Sequence, residues 1–138
     1  MATKNSNHNS LQRLLGIMQR LRHPATGCSW DLKQTPESLL PFTLEEAYEV
    51  ADAIERGDDR ALQDELGDLL FQIVFYAQIA EESSKYNFFD IAETIGDKLI
   101  RRHPHVFGQS PPVSWEAIKQ SERNLKQNPN AEISAMDG

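Results

Sequence analysis

The sequence predicts an all-α fold: four helices and a short C-terminal fifth. Apolar residues recur every three or four positions in five segments. Proline and glycine punctuate the gaps between those segments. No run alternates apolar with polar residues for long enough to read as a strand, and no internal repeat is visible.

Leu11, Leu14, Leu15, Met18 and Leu21 mark an amphipathic helix over residues 10–22, which Pro24 stops. Residues 23–42 hold Pro24, Pro36, Pro41, Gly27 and the run Cys28-Ser29-Trp30-Asp31, and read as one long loop. Loops of that length in compact domains usually serve function. A second helix opens at Thr43, runs through Leu44, Ala47, Tyr48, Ala51 and Ile54, and is capped by Gly57. Asp58 and Asp59 then place negative charge at the start of a third helix over residues 60–84. Between Leu66 and Ala80 that helix is apolar on nearly every side, through Leu69, Leu70, Phe71, Ile73, Val74, Phe75, Tyr76 and Ile79. A helix of this kind needs cover all round, and so short a chain implies that a second subunit supplies some of it. Phe88, Ile91, Ile95 and Leu99 set a fourth helix over 88–102, ended by Pro104. Trp115, Ile118 and Lys119 belong to a last helix over 114–127. One domain over residues 10–127, with polar tails at 1–9 and 128–138, accounts for the chain.

Composition narrows the function. A net charge of −7 over 138 residues argues against a nucleic acid polymer as partner. The single Cys28 cannot form an internal disulfide, the N-terminus lacks an apolar signal segment, and no apolar run is long enough for a membrane span. A soluble, cytoplasmic protein is the expectation.

The richest chemical signal is a set of four carboxylates arranged symmetrically about Gly57. Glu46 and Glu49 lie eleven and eight residues before it; Glu65 and Asp68 lie eight and eleven after it. If the flanking helices fold back on each other, residues equidistant from the turn share one level. The spacing of three within each pair puts both acids on one face. Four acids held together repel unless a cation joins them. An all-oxygen donor set suits Mg²⁺, or Mn²⁺, better than zinc. Asp68, inside the most apolar helix, is hard to explain without a partner. Glu46 has two readings, because Thr43 and Glu46 also show the spacing of a capping box. Glu45 reads as a solvated acid of the first turn.

Lys98 and Arg102 stand one turn apart with Arg101 beside them, either as a phosphate clamp or as cations complementing a helix C-terminus. Trp115 and Lys119 are one turn apart as well: a base platform with a phosphate contact, or simply core and surface. Trp30 carries the same ambiguity. His103 and His105 lack a third ligand and read as structural or surface residues, and Cys28 has no arrangement for nucleophilic catalysis.

The stretches LGIMQRLRHPATGCSWD, FTLEEAYEVADAI, DELGDLLFQIVFYAQ and DKLIRRHPHVFG together resemble the all-α nucleoside triphosphate pyrophosphohydrolases of the MazG type. The likeness covers roughly residues 10–125, with Ser29 where the family commonly has proline. Members often carry two such domains, and this chain has room for one. The resemblance implies a four-helix core completed by a second subunit, as a homodimer or a dimer-based oligomer. It also implies Mg²⁺-dependent hydrolysis of a nucleoside triphosphate to the monophosphate and pyrophosphate. By matching position, Glu46, Glu49, Glu65 and Asp68 would ligate metal, and Lys98 and Arg102, with Arg101 the weaker candidate, would contact phosphates. Trp115 and Lys119 would lie beside the nucleotide, with Trp30 a further contact. Attack at the α-phosphorus would be assisted by Glu49 or Glu46 as general base, and Lys98 and Arg102 would meet the charge on departing pyrophosphate.

Three rivals share parts of this pattern. A relative with narrower specificity, for dUTP, dCTP or phosphoribosyl-ATP, would keep the same acids. A di-iron carboxylate protein would need Glu-x-x-His pairs, and neither acidic helix contains histidine. A non-catalytic nucleotide-binding module would keep the fold without the turnover.

Overall fold

The computed structural model describes residues 7–108 and 115–127. Within them lie seven helices: α1 (Asn7–Leu21), α2 (Ser29–Leu32), α3 (Pro36–Arg56), α4 (Asp59–Glu82), α5 (Phe88–Arg102), α6 (Pro104–Phe107) and α7 (Trp115–Gln127). The described residues contain no strand, so the protein is all-α. No helix among them is long and apolar enough to cross a membrane. The chain forms two compact units, residues 1–91 and 92–138.

In the first unit α3 and α4 fold back on each other, and α1 packs along α4. The reversal happens at Gly57, whose φ of 66° and ψ of 29° lie in the left-handed region that a side chain disfavours. Its N–H closes α3 onto Ile54 O at 3.0 Å. Asp58 then caps α4 by accepting from Ala61 N–H at 3.0 Å. Met18 of α1, Leu39 of α3, and Val74 and Phe75 of α4 are fully buried and form the centre of the core. Burial of each such side chain contributes about 2 kcal/mol. Leu14, Leu15, Leu21, Phe71, Tyr76, Ile79 and Phe88 surround it.

Two sequence expectations are corrected here. The long loop of 23–42 is shorter than expected, because α3 begins at Pro36 and a single turn, α2, interrupts the remainder. Thr35 is extended (φ −124°, ψ 166°), as a residue before proline prefers, and Pro36 starts the helix with its φ already suitable. Thr35 and Ser38 complete a reciprocal capping box at 3.1 and 2.8 Å. Pro41 sits inside the helix, where it forgoes one backbone hydrogen bond and its ring disfavours the regular turn before it. The sequence reading places it in the expected loop over 23–42.

The second correction concerns Thr43. It is not a helix cap but an interior residue of α3. Its hydroxyl lies 2.9 Å from Gln72 Oε1 and 2.6 Å from the Tyr76 hydroxyl. That network satisfies the buried Gln72 and pins α3 to α4. The capping reading of Glu46 falls with it.

The third predicted helix, 60–84, runs over Asp59–Glu82 and ends at Ser83, followed by Ser84 with φ 57°. Asn87 and Asp90 exchange hydrogen bonds of 3.0 and 2.9 Å at the start of α5. In the second unit, α5 ends before Pro104 and a four-residue turn, α6, follows it. There the carboxylate of Glu122 on α7 takes hydrogen bonds from both Arg101 and Arg102 of α5.

Candidate metal centre

The hairpin at Gly57 brings Glu46 of α3 together with Glu65 and Asp68 of α4. One carboxylate oxygen from each lies within 4.8 Å of the others. Oxygens ligating a single Mg²⁺ span roughly 4 Å across the ion, so the group is close to the size of a coordination shell. Glu46 and Glu65 are half-buried, and Asp68 is exposed on the open side. The Thr43–Gln72–Tyr76 network lies one turn further from Gly57 on the same seam, behind the acids.

The electrostatics of this trio are unfavourable as it stands. The Glu46 carboxyl is pushed above its ordinary pKa by burial first, then by the charges of Asp68 and Glu65. Glu65 is pushed up by burial first, then by the charges of Glu49 and Asp68. Oε2 of Glu46 is buried and has no hydrogen-bond partner. A buried carboxylate oxygen without a donor is costly, and a hard cation is the partner such a donor set suits. These residues therefore fit a divalent metal.

Glu49 is placed differently from the other three. It is exposed on α3 and outside the trio, though near enough to raise Glu65 electrostatically. Trp30 lies on α2, half-exposed, and meets the ring of Phe42 edge-on at 5.9 Å and 76°. Phe42 stands on α3 one turn before Glu46, so this aromatic pair borders the acidic end of the hairpin. The sequence reading missed Phe42; its spacing of four from Glu46 was the available signal.

In the second unit, Lys98 is half-buried on α5. Arg101 Nη2 donates to Glu122 Oε2 at 2.8 Å, and Arg102 Nε donates to Glu122 Oε1 at 2.9 Å. With both guanidinium groups beside it, and the Arg102 bond first among the causes, the Glu122 carboxyl is held at a pKa of about 2. Glu122 was also missed; it follows Lys119 by three residues and so extends the stripe of Trp115 and Lys119 along α7. Lys119 is half-buried on that helix, whereas the Trp115 side chain lies outside the described residues. His103 Nδ1 is 2.7 Å from Leu99 O, which ties it to the end of α5 and agrees with a structural role.

Comparison with known proteins bears on the family of the chain. The MazG nucleotide pyrophosphohydrolase domain matches residues 34–107, a segment holding all four acids and the α5 cations. The chain is 53% identical over 136 residues to the nucleoside triphosphate pyrophosphohydrolase of Escherichia coli K12, covering 94% of this chain and 50% of that protein. It is 49% identical over 120 residues to the nucleoside triphosphate pyrophosphohydrolase/pyrophosphatase MazG of Thermotoga maritima, covering 85% of this chain and 47% of that one. It thus spans about half the length of the curated relatives it matches. A crystal structure of a mazG-related protein from Thermotoga maritima superposes with a TM-score of 0.62 at 28% identity, over 85% of this chain and 99% of that one. With more than half its length matched and its acids on facing helices of an all-α hairpin, the chain belongs to the MazG nucleotide pyrophosphohydrolase domain family.

Proposed function

We propose that this chain hydrolyses nucleoside triphosphates to nucleoside monophosphates and pyrophosphate, with Mg²⁺, or Mn²⁺ in its place, as cofactor. The observation that carries the reading is the trio of Glu46, Glu65 and Asp68 with its buried, unpartnered oxygen. The names of the relatives from Escherichia coli and Thermotoga maritima support the same activity. Glu46, Glu65 and Asp68 would hold the metal, with Glu49 beside them. A divalent cation there supplies Lewis acidity, screening phosphate charge and making hydroxide available near neutral pH.

The chain's own residues divide the remaining work. Glu49, exposed and outside the trio, takes a proton from the attacking water; Glu46 is the second candidate for that role. The water oxygen bonds to the α-phosphorus, and the bond from that phosphorus to the bridging oxygen of the leaving pyrophosphate breaks. Lys98 and Arg102 meet the charge that gathers on pyrophosphate, with Arg101 in a lesser part. The face made by Trp30 and Phe42 receives the base. Trp115 and Lys119 contact the nucleotide as the family resemblance implies. A homodimer, acting in a reducing cytoplasm and serving the upkeep of the nucleotide pool, completes the reading.

The test is pyrophosphate release from ATP, GTP, CTP, UTP and their deoxy forms, with Mg²⁺ and with EDTA. Metal-dependent release is the expected result. Release from one pyrimidine deoxynucleotide alone would replace the broad activity with a narrow one, and no release from any would leave a nucleotide-binding module.

A further inference from the structure

Arg22 follows the last residue of α1 and has no part in the chemistry above, yet it is the most heavily engaged cation of the first unit. Only 8% of its side chain is exposed. Nη1 donates to two backbone carbonyls of the α2 segment, Asp31 O at 2.7 Å and Gln34 O at 3.2 Å. The other edge of the fork grips Glu82 at the end of α4, with Nε to Oε2 at 3.0 Å and Nη2 to Oε1 at 2.5 Å. The guanidinium also lies 5.8 Å from the centre of the Phe75 ring, in the core. The bond from Arg22 holds the Glu82 carboxyl below its ordinary pKa.

The two carbonyl bonds bear on Trp30. Its residue lies next to Asp31, and its own carbonyl accepts from Gln34 Nε2 at 2.8 Å. Asp31 is buried, and the segment is tied back by Cys28 N–H to Leu21 O at 2.9 Å and, just before it, by Gly27 N–H to His23 O at 2.8 Å. The chain there is so close to α1 that a Cβ on Gly27 would stand 2.3 Å from Leu21 O. A one-turn helix cannot hold its own position, since its nucleation cost exceeds what one turn returns. Its pose must come from outside it, and Arg22 links it to Glu82 at the end of α4.

We propose that Arg22 is a positioning residue for nucleotide binding. It holds the α2 segment so that the Trp30 ring stays against Phe42, beside the acidic end of the hairpin. The inference rests on the reading that the Trp30 face receives the base. Lysine cannot replace arginine here, because one ammonium cannot grip a carboxylate with a planar fork and serve two carbonyls on its other side.

The experiment compares wild type with Arg22→Lys, Glu82→Gln and Trp30→Ala, using Mg²⁺ with ATP and with UTP. Amide hydrogen exchange is followed at Cys28, Leu32 and Gln34, whose N–H groups bond within the segment or to α1. In Arg22→Lys those amides exchange ~10-fold faster or more while the amides of α3 and α4 hold their rates. KM rises ~10-fold with kcat within about threefold of wild type, the signature of lost binding rather than lost chemistry. Glu82→Gln, which leaves the carbonyl bonds intact, shows a smaller change in the same direction and serves if the lysine variant does not fold. Unchanged exchange in the segment, uniform acceleration across the unit, or loosened exchange with a normal KM would each overturn the proposal. Trp30→Ala separates the two ideas: a normal KM in it removes the Trp30 face from the base site and overturns the proposal through the reading it rests on, whereas a raised KM in it beside a normal KM in Arg22→Lys overturns the role of Arg22 alone.

Discussion

At the scale of single residues, the four acids are not equivalent. Glu46, Glu65 and Asp68 converge, while Glu49 stands outside them and exposed. Glu49→Gln should therefore reduce turnover on the order of 10²-fold or more, as loss of a general base does, while the circular dichroism of the helices is unchanged. A variant retaining wild-type kcat would take Glu49 out of the mechanism. The cations differ in the same way. Lys98→Ala should lower kcat by about 10²-fold with little change in Tm or metal affinity, because the ammonium has no lone pair to offer a metal. Arg102→Ala should lower Tm as well, since Glu122, only 16% exposed, would lose its main partner. Thermal melts and metal titrations of the two variants, read beside their kinetics, check this. If both variants lose only Tm, the α5 cations serve the helix end and not the phosphates.

At the scale of elements, the hairpin of α3 and α4 is set by one backbone conformation. A Cβ on Gly57 would meet nothing within 4 Å, so Gly57→Ala isolates the cost of a positive φ. That cost is about 1–2 kcal/mol, a Tm loss of roughly 4–8 °C, with metal affinity little altered. Equal melting of variant and wild type would show that the turn does not need the left-handed region. The pairing of α5 with α7 makes a pH-dependent contribution. Glu122 has a folded pKa of about 2 against an ordinary 4.5, so its stabilisation is fully present above about pH 4.5 and is lost as pH falls towards 2. Urea unfolding of wild type between pH 5 and 2.5 should lose stability more steeply than that of Glu122→Gln. Parallel slopes would show that the pairing does not persist in solution.

At the scale of the whole molecule, the apolar surface of the hairpin is the conspicuous feature. Leu44 and Leu70 lie thirteen residues to either side of Gly57, and Tyr48 and Leu66 lie nine to either side. All four are exposed, Tyr48 at 76%. They share levels across the two helices, and a second copy of the chain is the cover that the family resemblance implies. Sedimentation should find a dimer or a multiple of one at micromolar concentration. Leu66→Glu with Leu70→Glu should shift it towards monomer and lower activity. A fully active monomer of the wild-type chain would end the homodimer reading.

The sequence by itself determined the helical class, the turn at Gly57, and the bounds of α4 and α5 to within about two residues. Each depends on a local rule: apolar spacing, a glycine cap or a proline stop. What local rules could not reach was decided by tertiary contact. Three prolines made residues 23–42 look like loop, but Thr35 and Ser38 cap a helix whose Leu39 is drawn into the core, and burial outweighs the one backbone bond lost at Pro41. Gln72 is buried inside the most apolar helix, and its partner Thr43 is 29 residues away. Arg22 meets Glu82 across 60 residues, and Glu122 meets Arg102 across 20. Which three of four acids converge likewise depends on the packing of α3 against α4, because equal spacing from a turn fixes the level of a residue and leaves the direction of its side chain to its neighbours.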